Sequence, residues 1–194
     1  MSAIAATFPS PADGIARIAA LYAAFGPRAY SGEPVSQLEH ALQSAALAQA
    51  DGAAEPLVAA ALLHDIGHLL NDQGETPTAR GIDDLHQFHG AHWLKPLFGP
   101  DVSEPVRLHV AAKRYLCAVR PGYQQALSAD SQRSLALQGG TFSASGAEAF
   151  SRNPHAEAAV SLRLWDDRAK VAGLATPTLQ DLLPLLARCA AAAS

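Results

Sequence analysis

An adjacent histidine and aspartate, His64 and Asp65, stand inside an apolar segment, Leu62-Leu63-His64-Asp65-Ile66-Gly67-His68. Burying both groups in an apolar helix is costly unless something satisfies them. A metal ion satisfies a neutral imidazole nitrogen and a carboxylate at once, and the two oxygens of a carboxylate can bridge two metal ions. Because His-Asp pairs also occur by chance, this pair predicts a metal site only if further ligands accompany it.

Further candidate ligands recur along the chain in segments with helical character. Four imidazoles and two carboxylates are too many for one tetrahedral zinc ion and suit two six-coordinate metal ions that share a carboxylate. The alternative is a scatter of surface histidines, which would leave the whole set without a physical reason. Besides His64 and Asp65 the set contains His40, His86, His109 and Asp166. His40 lies 24 residues before His64, His86 lies 21 residues after Asp65, and His109 and Asp166 follow after a further 23 and 57 residues.

Three more polar residues lie one helical turn from these ligands. Residues three or four positions apart share a helix face, so each should point toward the metal cluster from a different helix. Taken singly, each is explained by a surface salt bridge or by a satisfied core histidine. Taken together, an imidazole and two cations beside a metal pair predict a pocket for an anion. They are His68, Lys113 and Arg163.

The elements that must position these residues are all helical, since no segment alternates with the period of a strand. Caps and prolines mark the helix starts, and the segment from Gln138 to Gly146 reads as a loop or lid. The predicted fold class is therefore all-α, a helical bundle. Predicted helices run from Ser10-Pro11 to about Phe25, from Ser36 to near Gly52, from Pro56 to His64, from about Asp84 to an end or kink near Lys95, from near Ser103, from Asn153-Pro154, and from Thr178 to Ala193 with a possible kink at Pro184.

Composition bounds the remaining possibilities. The length of 194 residues fits one domain spanning 1–194, and 49% hydrophobic against 16% charged residues allows a sizeable core. A net charge of −4 gives no electrostatic case for nucleic acid. No apolar run approaches a membrane span, and no signal peptide is visible, so we expect a cytoplasmic protein that does not bind membranes. Cys117 and Cys189 read as reduced core thiols.

Four local strings resemble the His-Asp metal-dependent (HD) superfamily and, within it, the mixed-valent diiron oxygenases of organophosphonate breakdown. The resemblance covers about Tyr30 to about Lys170. The wider superfamily includes phosphohydrolases and the diiron inositol oxygenase, and the long third string favours the phosphonate branch. The strings are Ser36-Gln37-Leu38-Glu39-His40, Leu62-Leu63-His64-Asp65-Ile66-Gly67-His68, Arg107-Leu108-His109-Val110-Ala111-Ala112-Lys113-Arg114-Tyr115-Leu116, and Leu164-Trp165-Asp166-Asp167.

The resemblance implies that the metals are iron, as a mixed-valent Fe(II)/Fe(III) pair bridged by Asp65. The resemblance favours His86 as a metal ligand over its helical neighbours His89 and His92, which read as surface or supporting groups. It likewise favours Asp166 over Asp167 as a ligand. One iron would take His40, His64 and Asp166, and the other would take His86 and His109.

The resemblance also implies a gate on the loop before the first ligand. Tyr30 would occupy an open iron position in the resting enzyme, and Glu33 would meet a cationic nitrogen of the substrate. His68, Lys113 and Arg163 would line the phosphonate pocket, and Ser131 would add a hydroxyl contact.

The activity implied is cleavage of the carbon–phosphorus bond of a 1-hydroxy-2-aminoethylphosphonate, with O2 as co-substrate. The nitrogen would be free or methylated up to trimethylammonio, and the products would be phosphate and glycine or glycine betaine. The main alternative is a metal-dependent phosphohydrolase of a nucleotide or phosphate ester on the same scaffold. A non-catalytic regulatory or binding domain is a third possibility. If the chain is the oxygenase, the molecule that it binds is a small organophosphonate.

Overall fold

The structure, a computed structural model, describes residues 7–30, 32–71, 74 and 76–193. These residues form eleven α-helices, one short 3-10 helix and no sheet; a single bridge pairs Ala29 with Ser36. The predicted all-α class is confirmed. The helices are α1 Pro11–Phe25, α2 Gln37–Ala50, α3 Glu55–Leu63, α4 Ile66–Leu70, the 3-10 helix Thr78–Arg80, α5 His86–Phe98, α6 Pro100–Val119, α7 Tyr123–Ala126, α8 Ala129–Leu137, α9 Ala144–Ser151, α10 Ala156–Arg168 and α11 Leu179–Ala192.

Polar caps start the helices where the sequence predicts them. The Ser36 hydroxyl accepts a hydrogen bond from the backbone N–H of Glu39, and the Glu39 carboxylate accepts one from the backbone N–H of Ser36 at 2.7 Å. Thr178 and Asp181 form the same reciprocal pair before α11. Each pair satisfies two backbone donors that a helix leaves without intrahelical acceptors. These contacts are local, so the sequence alone could predict them.

Several predicted boundaries are wrong. Helix α10 begins at Ala156 and not at Asn153-Pro154, because Asn153 accepts from the backbone N–H of His155 in a turn that precedes the helix. Helix α5 continues through Pro96 to Phe98, because the proline falls in the last turn and the following residues Leu97 and Phe98 are buried in the core. Helix α6 begins at Pro100, three residues before Ser103, since Gly99 adopts a left-handed φ of 68° that turns the chain. The predicted loop of residues 138–146 is also shorter, because α9 already begins at Ala144.

The core is built around α3, whose residues from Val58 to Leu63 are all buried. Helix α6 packs against α5, α10 and α3, and α2 packs against α3 and α10. The helices that carry the six candidate ligands therefore converge on one place. No helix in the described ranges is long and apolar enough to cross a bilayer.

The His64-Asp65 pair does not lie inside one continuous helix, contrary to the prediction. Helix α3 ends at Leu63 and α4 begins at Ile66, with Asp65 between them at φ −101°, ψ 9°. Gly67 explains how α4 then approaches α5: a Cβ at this position would lie 2.0 Å from the carbonyl oxygen of His86. Only glycine permits this contact, which brings the two ligand-bearing segments together.

Candidate metal centre

The Asp65 carboxylate lies between two pairs of histidines and presents one oxygen to each. Its Oδ2 is 3.3 Å from His64 Nε2 and 3.7 Å from His40 Nε2. Its Oδ1 is 3.4 Å from His86 Nε2 and 3.6 Å from His109 Nε2. This arrangement suits a carboxylate that bridges two metal ions, one in each half of the centre.

The inner half-site consists of His40, His64 and Asp166. The two Nε2 atoms are 3.2 Å apart, and Asp166 approaches His40 through Oδ1 at 3.4 Å and His64 through Oδ2 at 3.9 Å. Each imidazole donates its Nδ1–H to a backbone carbonyl, His40 to Ala169 and His64 to Ala61, both at 2.8 Å. All three side chains are buried, so the inner half-site is enclosed by the helix core.

The outer half-site consists of His86 and His109, whose Nε2 atoms are 3.1 Å apart. His109 donates its Nδ1–H to the backbone carbonyl of Val106 at 2.7 Å. His86 Nδ1 instead contacts a side chain, the Asp84 carboxylate, at 2.8 Å. The outer half-site is therefore held partly by a side-chain partner.

The ligand atoms of both half-sites fit metal ions. Each imidazole that donates its Nδ1–H to an oxygen acceptor can present the lone pair of its Nε2 to a metal ion. Asp166 Oδ1 is buried and has no hydrogen-bond partner within the described part of the chain. Burial, followed by His86, lowers the pKa of His109 well below its usual value, so this imidazole is neutral. Neutral imidazoles with carboxylates are typical ligands of first-row transition metals.

Asp84 is a supporting residue that the sequence analysis missed. Its carboxylate accepts from His68 Nδ1 at 2.5 Å as well as from His86, and the two imidazole rings stack at 4.0 Å. The next residue, Leu85, has a φ of 54°, a strained conformation for a residue other than glycine. The one signal for Asp84 in the sequence was its place two positions before the candidate ligand His86. Carboxylates that orient ligand imidazoles are a recurrent feature of metal sites.

An open cavity of about 870 Å³ adjoins the centre. His40 and His64 are absent from its described lining, whereas Asp65, Asp166, His86 and His109 belong to it. His68 lines it, but packs against His86 rather than beside His64, because the helix is interrupted at Asp65. The predicted site residues that line it are Tyr30, Asp65, His68, His86, His109, Lys113, Ser131, Arg163 and Asp166.

Lys113 is buried on the cavity wall, and its ammonium donates to the Ser134 hydroxyl at 2.7 Å. Burial, followed by the neighbouring Arg163, lowers the pKa of Lys113 to about 7. A lysine with this pKa is partly a neutral amine near neutral pH, and this amine gains a proton when an anion arrives. Ser134, on α8, was not singled out from the sequence.

Arg163 is fixed by acidic neighbours on its own helix. Its Nη1 lies 2.7 Å from Asp166 Oδ2, and its Nη2 contacts Asp167. Its Nε donates to the Tyr123 hydroxyl at 3.3 Å, and this hydroxyl in turn bonds Asp167. Asp167 therefore orients the cation, while Asp166 faces the histidines, as the sequence predicts.

The structure separates the two residues of the predicted gate. Tyr30 donates its hydroxyl to Asp65 Oδ2 at 2.8 Å and stacks on the His40 ring at 3.9 Å, so it covers the inner half-site. Burial, followed by Asp65, raises the pKa of Tyr30 well above its usual value. Glu33 is absent from the described cavity lining and pairs with Lys170 at 3.2 Å.

The remaining polar candidates lie elsewhere. His89 and His92 are exposed and His155 is half-buried, and none of them belongs to the potential metal-binding groups found among the described residues. Cys117 and Cys189 are free thiols.

Comparison with known proteins identifies relatives that are similar to most of this chain. Residues 38–135 match the HD domain model. A stretch of 150 residues is 49% identical to a hydroxymethylphosphonate dioxygenase of Gimesia maris, covering 77% of this chain and 75% of that protein. A stretch of 163 residues is 39% identical to a [1-hydroxy-2-(trimethylamino)ethyl]phosphonate dioxygenase (glycine-betaine-forming) of Leisingera caerulea, covering 84% and 83%.

Proposed function

The chain belongs to the HD-domain family and, within it, to the phosphonate dioxygenases, and on that premise we propose that it uses O2 to cleave the carbon–phosphorus bond of a 1-hydroxyphosphonate. The substrates named for the two relatives share a hydroxyl on the carbon that bears the phosphonate and differ in a cationic nitrogen. The nitrogen-bearing substrate expected from the sequence belongs to this class. We also propose that residues 1–194 act as one domain.

The placement of Asp65 carries this proposal, because each of its oxygens faces a separate histidine pair. We assign iron to both half-sites, His40, His64 and Asp166 to one ion, His86 and His109 to the other, and Asp65 to the bridge. When bound, the iron pair supplies the redox chemistry that O2 requires. The role of the protein is to hold the ligands, the substrate and a proton in place.

The cavity wall supplies the groups for a phosphonate. Lys113, Arg163 and Ser131 line it with two cations and a hydroxyl, which suit phosphonate oxygens. Arg163 already shares its charge with Asp166, so its contribution is mainly orientation. Because the pKa of Lys113 is depressed, its neutral amine takes up a proton and becomes charged on contact with the dianion. The phosphonate end is therefore anchored at α6, α8 and α10.

The reaction balances with O2 as the only oxidant. For the simplest substrate, hydroxymethylphosphonate and O2 give formate, phosphate and one proton. The carbon loses four electrons, which O2 takes up, and the carbon–phosphorus and one carbon–hydrogen bond break. His68 contacts Asp84 through Nδ1 and lies on the cavity wall, and we propose that its Nε2 accepts the released proton.

Coupled measurement of O2 and phosphate tests the proposal. The full chain, loaded with Fe(II), should release one phosphate for each O2 consumed from hydroxymethylphosphonate or its 2-trimethylammonioethyl analogue. The exposed variant His89→Ala should behave like the unmodified protein, and Asp65→Asn should not. Phosphate release from a phosphate ester without O2 consumption would instead establish the phosphohydrolase.

A further inference from the structure

An ion pair beside the cavity involves a lysine that the ligand pattern does not explain. Lys170 Nζ lies 3.2 Å from Glu33 Oε1, and both side chains are only 12% and 13% exposed. The same ammonium is 3.3 Å from the Ser128 hydroxyl and 3.5 Å from that of Ser131. These contacts direct Lys170 inward and neutralise Glu33. Ser131 lines the cavity, so the pair lies immediately behind its wall.

The turn that holds Glu33 also holds a cavity residue. The Glu33 backbone N–H donates to the carbonyl of Tyr30 at 2.8 Å, and the Tyr30 ring lies 5.9 Å from Lys170 Nζ. The Glu33 carboxylate is therefore close to the cavity without belonging to its described lining, and its charge is paired with Lys170.

Most carboxylates on the described cavity wall are already engaged. Asp65 and Asp166 face histidines, Asp84 binds two imidazoles, and Asp130 binds Thr78 and Arg133. Asp83 lines the wall and accepts a hydrogen bond from the backbone N–H of Leu85. A positively charged group in the cavity therefore has two candidate carboxylates, Glu33 after displacing Lys170, or Asp83.

We propose that Lys170 competes with a cationic substrate nitrogen for the Glu33 carboxylate and so determines which hydroxyphosphonates the enzyme prefers. A substrate without a cation binds with the pair intact. An ammonium-bearing substrate must break the pair and leave the mostly buried Lys170 charge without its partner, which is unfavourable. This inference rests on the proposed function, and it deepens that function by ranking its two candidate substrates.

The test compares two substrates in the full iron-loaded chain. We expect the kcat/KM of the unmodified enzyme to be higher for hydroxymethylphosphonate than for 1-hydroxy-2-(trimethylammonio)ethylphosphonate. Lys170→Met should raise the ratio of cationic to neutral kcat/KM by about 10-fold or more, the effect expected for one charge-assisted contact. Lys170→Gln, which keeps a hydrogen-bond donor without the charge, should shift the ratio the same way if Lys170→Met does not fold.

Two further variants assign the effect. The double variant Lys170→Met/Glu33→Gln should lose the gain, because no free carboxylate then awaits the cation. Arg188→Met, which removes an exposed pair with Glu55 elsewhere, should leave the ratio unchanged. An unchanged ratio in both single Lys170 variants overturns the inference, as does a gain that survives Glu33→Gln and disappears with Asp83→Asn. Absence of O2-dependent phosphate release from both substrates would refute the proposed function instead.

Discussion

The inner and outer half-sites contain the same kinds of ligand but are held in different ways. In the inner half-site, His40 and His64 donate to backbone carbonyls, and these two residues and Asp166 are each at most 1% exposed. A backbone acceptor inside the helix core cannot move without disturbing the fold. The inner half-site is therefore as rigid as the core itself.

The outer half-site depends in part on a chain of side chains, although His109 also donates to a backbone carbonyl. His86 is held by Asp84, which also holds His68, and the segment passes through the strained Leu85. His86 and His109 line the cavity, whereas His40 and His64 are absent from its described lining. The comparison indicates that the core secures one half of the centre, while the other half depends partly on side-chain contacts next to the cavity.

The largest expected effect follows from removing the bridge that joins both halves. Asp65→Ala should lower activity by more than about 100-fold and reduce iron content, because it removes a ligand rather than a supporting group. His64→Ala should act similarly through the inner half. Elemental analysis and O2 consumption measure both results. His89→Ala, which alters an exposed histidine, is the matched control, and one zinc per active chain would contradict the two-iron assignment.

A smaller and more selective effect should come from Asp84→Asn. This change weakens the support of His86 and His68 and leaves the backbone anchors of the inner half-site intact, so we expect about a 10- to 100-fold loss of activity or metal affinity. Metal titration should show one ion lost before the other. The neighbouring Asp83→Asn should keep both ions. Equal weakening of both ions by Asp84→Asn would show that the halves are not independently held.

A substitution of Lys113 tests whether the cavity next to the outer half-site binds the substrate. Lys113→Met should raise KM by about 10- to 150-fold through loss of a charge-assisted contact, with iron content unchanged. The exposed Lys95→Met should leave KM unaltered. A KM that Lys113→Met does not change would remove Lys113 from the substrate site.

The same variant should stabilise the iron-free fold at neutral pH, by about 1–4 kcal/mol. Lys113 has a pKa of about 7 in the folded chain against 10.5 for an ordinary lysine, so the unfolded chain binds the extra proton between these values. The destabilisation of the fold by the buried Lys113 charge is complete below about pH 7 and fades as pH rises toward 10.5. Denaturant unfolding should therefore show the advantage of Lys113→Met shrinking in alkaline solution.

The smallest effect concerns Tyr30, which covers the inner half-site without being one of its core anchors. A tyrosinate on Fe(III) absorbs visible light, so the resting oxidised protein should be coloured and substrate should bleach the band. Tyr30→Phe should bind both irons without the band. A band that persists in Tyr30→Phe would mean that Tyr30 only hydrogen-bonds Asp65, as it does at 2.8 Å in the structure.

The predictions from sequence succeeded where a signal was local. The capping pair Ser36 and Glu39 and the all-helical period were visible along the chain, and the structure brings all six predicted ligands together. Failures came where tertiary packing outweighed local preference. Helix α5 passes Pro96 because its last turn is buried, and the helix at His64 is interrupted because Asp65 must face two pairs at once.

The sequence by itself therefore determined the fold class, the types of ligand and their assignment to separate helices, because periodicity, caps and residue chemistry are properties of short segments. Only the tertiary structure decided which Asp65 oxygen faces which pair, that Asp84 supports the outer half-site, and that Glu33 is paired with Lys170. The Glu33–Lys170 contact joins residues 137 positions apart. Such contacts depend on how helices pack, and no local pattern records them.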